Sequence, residues 1–205
     1  CHGIGIGLET GSEVLREVCH HKFTKNKKVR SIFDALNKHN FRTTANIILG
    51  FPGETPEDVY QSAKFVREIE ADTWNAKFLS PYYATPIYYV SREFGYIDVY
   101  SDKLGFNGLA KQIGFGRSAG PPIRTWQEKR FPVMTKEEMI EIYMNFSKYV
   151  LGEIPFPQED YLKKCAPETS ENLSAGKVSV LKEYNRQNLL PKKMVGKYAE
   201  VLSTP

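Results

Sequence analysis

The 205-residue chain has only three cysteines, Cys1, Cys19 and Cys165, and they stand far apart, with no CxxC or comparable spacing. This argues against a disulfide framework and against a zinc site, and it predicts a reducing, cytoplasmic setting. No apolar run approaches the roughly 20 residues that a membrane-spanning helix needs, and the N-terminus lacks the basic-then-apolar layout of a secretory signal. A soluble protein with no membrane partner is therefore expected. An initiator Met is also missing: the chain opens Cys1-His2-Gly3 and runs at once into an apolar, Gly-rich segment, as if cut from something longer. Neither sign of charge dominates, since 28 Lys+Arg against 24 Asp+Glu leave a net +4, which neither demands nor excludes nucleic acid.

The hydrophobic content of 41% suffices for one core with a small appendage. Gly3 to Leu8 reads as a short buried strand, and Ser12 to Cys19 as a helix capped by Ser12. Val29, Ile32, Phe33 and Leu36 fall on one face of a helix over Lys25 to Asn40. Thr43 to Leu49 is nearly continuous in apolar character, as in a strand covered on both faces. Thr55 then caps a helix with Pro56 at its first position, acids in its first turn, and Val59, Ala63, Val66 and Ile69 on its apolar face. Trp74 to Leu79 is a third apolar strand, and a helix from Ile87 is closed by Gly95. Three strand–helix alternations predict parallel βα units, with right-handed crossovers, and no other internal repeat is present.

Residues 101–134 break this pattern with repeated glycines and Pro121-Pro122, predicting a long irregular excursion. The Gly-rich stretch lacks a following GK[ST], which argues against a nucleotide P-loop. Over 135–205 the expectation is a helical extension. Thr135 caps its first helix, Glu138 completes a capping box, and Met139, Ile142, Tyr143, Phe146 and Tyr149 form the buried stripe. From Pro155 onward the polar sequence predicts a loosely attached tail. His20-His21 and the basic run Lys22 to Arg30 read as solvated charge, Cys19 as a packing thiol, and Glu137, Glu138 and Glu141 as an exposed helix face.

Three segments at strand ends carry candidate chemistry. In Gly7-Leu8-Glu9-Thr10-Gly11-Ser12 a carboxylate and two hydroxyls could hydrogen-bond a sugar or an amino-acid head group, or Ser12 and Glu9 could simply serve the following helix N-terminus. In Asn46 to Glu54 a strand ends in Gly50-Phe51-Pro52-Gly53, either a plain turn or a backbone against which a flat ligand lies. The third, Ser80 to Pro86, is either a rigid turn with packing aromatics or part of the same site.

In order and together, GLETGS, GFPGET and SPYYATPIY resemble the radical S-adenosylmethionine (SAM) superfamily, whose members often carry GLESGS-like, GFPGET-like and TPYPGTPLY-like segments. The resemblance covers roughly Gly3 to Gly95, and is closest to the branch that often bears a cobalamin-binding domain and to the tRNA methylthiotransferases. It implies an α/β fold in which residues 1–100 form the C-terminal half, strands four to six, of a partial (β/α)6 TIM barrel. Glu9, Thr10 and Ser12 would contact the ribose and methionine parts of SAM. The backbone at Ile48 and Gly50, with the Ser80-Pro81 turn, would pack on adenine.

The resemblance also implies a 4Fe-4S cluster and an electron donor such as flavodoxin or ferredoxin, with cobalamin a further candidate cofactor. The intact enzyme would cleave SAM reductively to a 5'-deoxyadenosyl radical acting on an unidentified substrate. The CxxxCxxC that ligates the cluster is absent and would lie upstream of Cys1, so the chain offers no metal ligands and by itself is expected to be inactive. The alternatives are a non-catalytic remnant acting as a binding or interaction module, and an ordinary phosphate-binding barrel enzyme.

Overall fold

The computed structural model describes residues 2–20, 22–79, 81, 85–93, 136–156, 173 and 175–204. Excursion 101–134, Ser80, Gly95 and the Thr135 cap lie outside them. Among the described residues the chain runs β1 (Gly3–Glu9), α1 (Glu13–His20), α2 (Asn26–Lys38), β2 (Arg42–Leu49), α3 (Pro56–Glu68), β3 (Thr73–Phe78), α4 (Pro86–Glu93), α5 (Lys136–Leu151), α6 (Ala175–Arg186), α7 (Lys192–Lys197) and α8 (Ala199–Ser203). The strands form one open sheet in the order β1-β2-β3, and both pairings are parallel. The parallel α/β unit expected from the sequence is thus present, with β1 on an edge.

The ends of these elements follow from local chemistry. Ser12 Oγ accepts the Leu15 N–H at 3.3 Å, so it caps α1. Thr55 caps α3 in a reciprocal box with Asp58, and Pro56 occupies the first turn, where its missing N–H is harmless.

Side-chain alternation divides the sheet into two unlike faces. Ile6, Leu8, Ala45, Ile47, Leu49, Trp74, Ala76 and Phe78 pack into one core with Val29 and Phe33 of α2, Val59, Ala63 and Val66 of α3, and Met139, Ile142 and Phe146 of α5. The register places Gly5 beside Thr44, Gly7 beside Asn46, Asn46 beside Asn75 and Ile48 beside Lys77 on the opposite face. That face is exposed at Gly3, Gly5, Gly7, Asn75 and Lys77 and half-buried at Thr44, Asn46, Ile48 and Thr73. The strand over Thr43 to Leu49, expected to be covered on both faces, is therefore closely covered on one.

A second core gathers Val14, Leu15, Val18 and Cys19 of α1, Phe51, Val90 of α4, and Val180, Leu181, Tyr184, Met194 and Tyr198. The last five are at most 1% exposed, which corrects the expectation of a loosely attached tail for the described residues 175–204. The polar composition of that segment concealed Val180, Leu181 and Tyr184, which share one helical face. Glu17 of α1 fixes the end of the tail through an ion pair with Lys197 and by accepting the Tyr198 hydroxyl at 3.2 Å. No helix among the described residues is long and apolar enough to cross a membrane.

Candidate functional site

Parallel strands bring their C-terminal turns to one end of a sheet. Glu9 pairs in register with Ile47, and beyond β3 the Leu79 N–H donates to the Leu49 carbonyl at 2.7 Å. The turns that follow β1 and β2 therefore share one rim, and Leu79 enters the third motif at the same end. Pro81 is buried there, while Ser80 lies outside the described residues.

The first turn is held by its own polar groups. Glu9 adopts a left-handed backbone, φ 66°, at an irregularity in the ladder, and its carboxylate pairs with Lys22 at 2.5 Å. A Cβ on Gly7 would lie 2.5 Å from that carboxylate, so the glycine leaves the room in which Glu9 folds back over the sheet. Thr10 is fully buried, with its hydroxyl 3.2 Å from Ser62 Oγ and accepting the Ser12 N–H at 3.1 Å. Ser12 is 2% exposed and engaged in its cap. Of the three polar residues of this motif, Glu9 with its partner Lys22 borders the open face, whereas Thr10 and Ser12 build the turn.

Gly11 seats this turn on α3. Its N–H donates to Ser62 Oγ at 2.8 Å, and a Cβ there would lie 2.7 Å from both the Gln61 carbonyl oxygen and Ser62 Cα. Because those neighbours are helix backbone, they cannot yield cheaply. Gly11→Ala is expected to destabilise the chain by about 1–3 kcal/mol, measured by urea unfolding, and an unchanged midpoint would show that the turn does not sit against α3.

The second turn, Gly50 to Glu54, is tied from within. Glu54 is 1% exposed; its Oε2 accepts the N–H groups of Gly50 and of Phe51, the latter at 3.3 Å, while its Oε1 is buried with no hydrogen-bond partner among the described residues. Burial first, and then the negative charge of Asp58, pushes the Glu54 carboxyl up to about 8 against the opposing pull of the two N–H groups and Lys177. It is therefore mostly neutral at pH 7. Asp58, nearly as buried, forms a 2.7 Å ion pair with Lys177 of α6. Cys19 lies in the same neighbourhood; burial raises its thiol far above the ordinary range, which makes it the inert packing thiol expected.

The sequence reading overlooked the polar sheet face. Thr44 and Thr73 touch through their hydroxyls at 2.7 Å, and Asn46, Asn75 and Lys77 stand beside the glycines of β1. Its signal is the strict apolar–polar alternation of Trp74-Asn75-Ala76-Lys77-Phe78. Ile48 belongs to this face but leans on the second core, and Gly50 follows it with φ 90°. The face offers an open glycine floor ringed by amide, hydroxyl, ammonium and carboxylate groups, suited to a flat polar ligand. Among the described residues nothing fits an iron–sulfur cluster: Cys19 is inert, and no group of three or more His, Cys, Asp or Glu there could hold a metal ion.

No family model matches the chain. Over 88 residues it is 31% identical to the tRNA-2-methylthio-N(6)-dimethylallyladenosine synthase of Sulfurihydrogenibium sp., covering 42% of this chain and 20% of that protein. Over a further alignment of 88 residues it is 26% identical to an uncharacterized methyltransferase of Pyrococcus horikoshii, covering 43% of this chain and 19% of that protein. Part of this chain is related to enzymes. The matched region spans about a fifth of the length of each relative, so only part of either protein is represented. One of the two belongs to the methylthiotransferase branch that the three motifs resemble.

Proposed function

We propose that this chain contributes the C-terminal half of a radical SAM barrel, with the SAM pocket formed by the polar face and rim of the β1-β2-β3 sheet. In this reading residues 1–100 are the barrel half, 101–134 an excursion and 135–205 a helical extension. One observation carries it: three parallel strands place the GLETGS and GFPGET turns on one rim, next to a glycine floor that no helix of the first core covers. Relatedness to a methylthiotransferase and a methyltransferase supports it.

Glu9, held by Lys22, would accept from the ribose or the methionine amine, Asn46 and Thr44 would bond polar edges, and the backbone from Ile48 to Gly50 would lie along adenine. Thr10 and Ser12 would position that pocket through the turn. SAM, when bound and reductively cleaved, supplies a 5'-deoxyadenosyl radical. The cluster, its electron donor and any cobalamin belong in this reading to other parts of the enzyme, and the substrate is set by them and by the excursion.

Titrating the chain with SAM and following backbone amide shifts tests the pocket. Shifts are expected at Gly5, Gly7, Asn46 and Gly50. Shifts confined to the outer groove between α1, α2 and α3, lined by Glu13, Asn26, Arg30 and Lys64, would sink the reading.

A further inference from the structure

We infer that α6 is a clamp on the rim turn Gly50 to Glu54, with Lys177 as the positioning residue that keeps the turn shaped for adenine; the ligand part rests on the reading of that turn given above. Three contacts place α6 there. A Cβ on Gly53, whose φ is +78°, would lie 3.0 Å from the Gly176 carbonyl carbon and oxygen and 3.2 Å from the Lys177 nitrogen, so two backbones meet with no side chain between them. Phe51 of the turn is fully buried in the same core as Val180 and Leu181 of α6. The Lys177 ammonium holds Asp58 Oδ1 at 2.7 Å across a separation of 119 residues.

The same Asp58 accepts the Thr55 N–H at 2.9 Å and the Thr55 hydroxyl at 3.0 Å through its other oxygen. Thr55 follows Glu54, whose carboxyl holds the Gly50 and Phe51 N–H groups. Two sets of polar contacts, joined through the Glu54–Thr55 peptide bond, thus run from α6 to the end of β2. With a glycine at each end the Gly-Phe-Pro-Gly backbone could take other shapes, so its form depends on the seating of Phe51 in the second core and on these polar contacts, and a ligand that had to order it would bind more weakly. Lys177 and Asp58 are 2% and 4% exposed, and burying two charges is costly unless each finds the other, so their pairing specifies one seating of α6 over the turn.

The test compares wild type, Lys177→Met and Lys177→Arg by amide hydrogen exchange, and by calorimetric titration with 5'-deoxyadenosine. In Lys177→Met, exchange at Gly50, Phe51, Gly53 and Glu54 is expected to accelerate about tenfold while β2 from Thr43 to Ile48 is unchanged, with about tenfold weaker binding; Lys177→Arg restores much of both. Should Lys177→Met fail to fold, Asp58→Asn with Lys177→Met removes both charges and is expected to loosen the same turn. Turn exchange as slow as wild type in a folded variant overturns the clamp, and equal acceleration in the turn and β2 overturns it by marking Lys177 as a general stabiliser. A wild-type chain that does not bind 5'-deoxyadenosine, yet whose turn loosens in the variant, supports the clamp and refutes the adenine reading. Wild-type binding that survives Lys177→Met with a loosened turn overturns the positioning role.

Discussion

Replacing Arg16 with methionine is expected to destabilise the chain by about 3–5 kcal/mol and to lower its thermal midpoint by roughly 10 °C. Arg16 is 1% exposed, and its guanidinium donates to the carbonyls of Leu8 at 3.0 Å, Thr24 at 2.8 Å and Thr10. These carbonyls lie at the end of β1, in the GLETGS turn and in the loop before α2, so one side chain closes three pieces of backbone around the rim. Burial depresses the pKa of the guanidinium, while the charges of Glu13 and Glu9 oppose that shift. Methionine fills most of the volume, so the loss reports on the orphaned carbonyls more than on a cavity. Lysine is expected to rescue poorly, because a single ammonium cannot match the fork that reaches three diverging acceptors. Thermal unfolding followed by circular dichroism decides it, and a drop below about 3 °C would mean that water serves those carbonyls instead.

How Arg16 escaped notice shows what the sequence made legible. Periodicity exposed the alternation of strand and helix, because Val29 and Phe33, or Val59, Ala63 and Val66, recur at helical spacing wherever one face must be buried. Caps were legible for a similar reason: Ser12 and Thr55 use local bonds that depend on a few neighbouring residues. The acceptors that tie Arg16 and Lys177 to the rim, the carbonyls of Leu8, Thr10 and Thr24 and the Asp58 carboxylate, do not stand at cap spacing. They are set by tertiary folding, and a buried cation reads in sequence like a solvated one.

The candidate site was legible only in part. Motif resemblance pointed to the rim, and the parallel ladders bring the first two motif turns to it. It did not reveal that Thr10 turns inward to Ser62, or that Thr44, Asn46, Asn75 and Lys77 share the face beside the β1 glycines. Those assignments depend on register, and a slip of one residue sends every side chain to the other face.

Glu54→Gln is expected to change how stability responds to pH. The ordinary glutamate value of 4.5 rises to about 8 in the folded chain, first because the carboxyl is buried and then because Asp58 is near. Between those two values the folded chain keeps a proton that the unfolded chain has released, so unfolding becomes easier as pH rises. The stability linked to this proton is fully present below pH 4.5, is lost as pH rises through about 8, and amounts to about 5 kcal/mol. Glutamine stays neutral throughout and can still accept the Gly50 and Phe51 N–H groups. The variant should therefore match wild type near about pH 5 and exceed it by a few kcal/mol near about pH 9, with other titrations largely cancelling in the difference. Urea unfolding of both proteins across that range measures this directly. A difference that stays constant with pH would show that Glu54 ionises as an ordinary surface carboxylate, and that its Oε1 is reached by water. The pH dependence also bears on the rim turn, since ionisation would place a second negative charge beside Asp58 and compete for the single buried cation, Lys177, that faces them among the described residues.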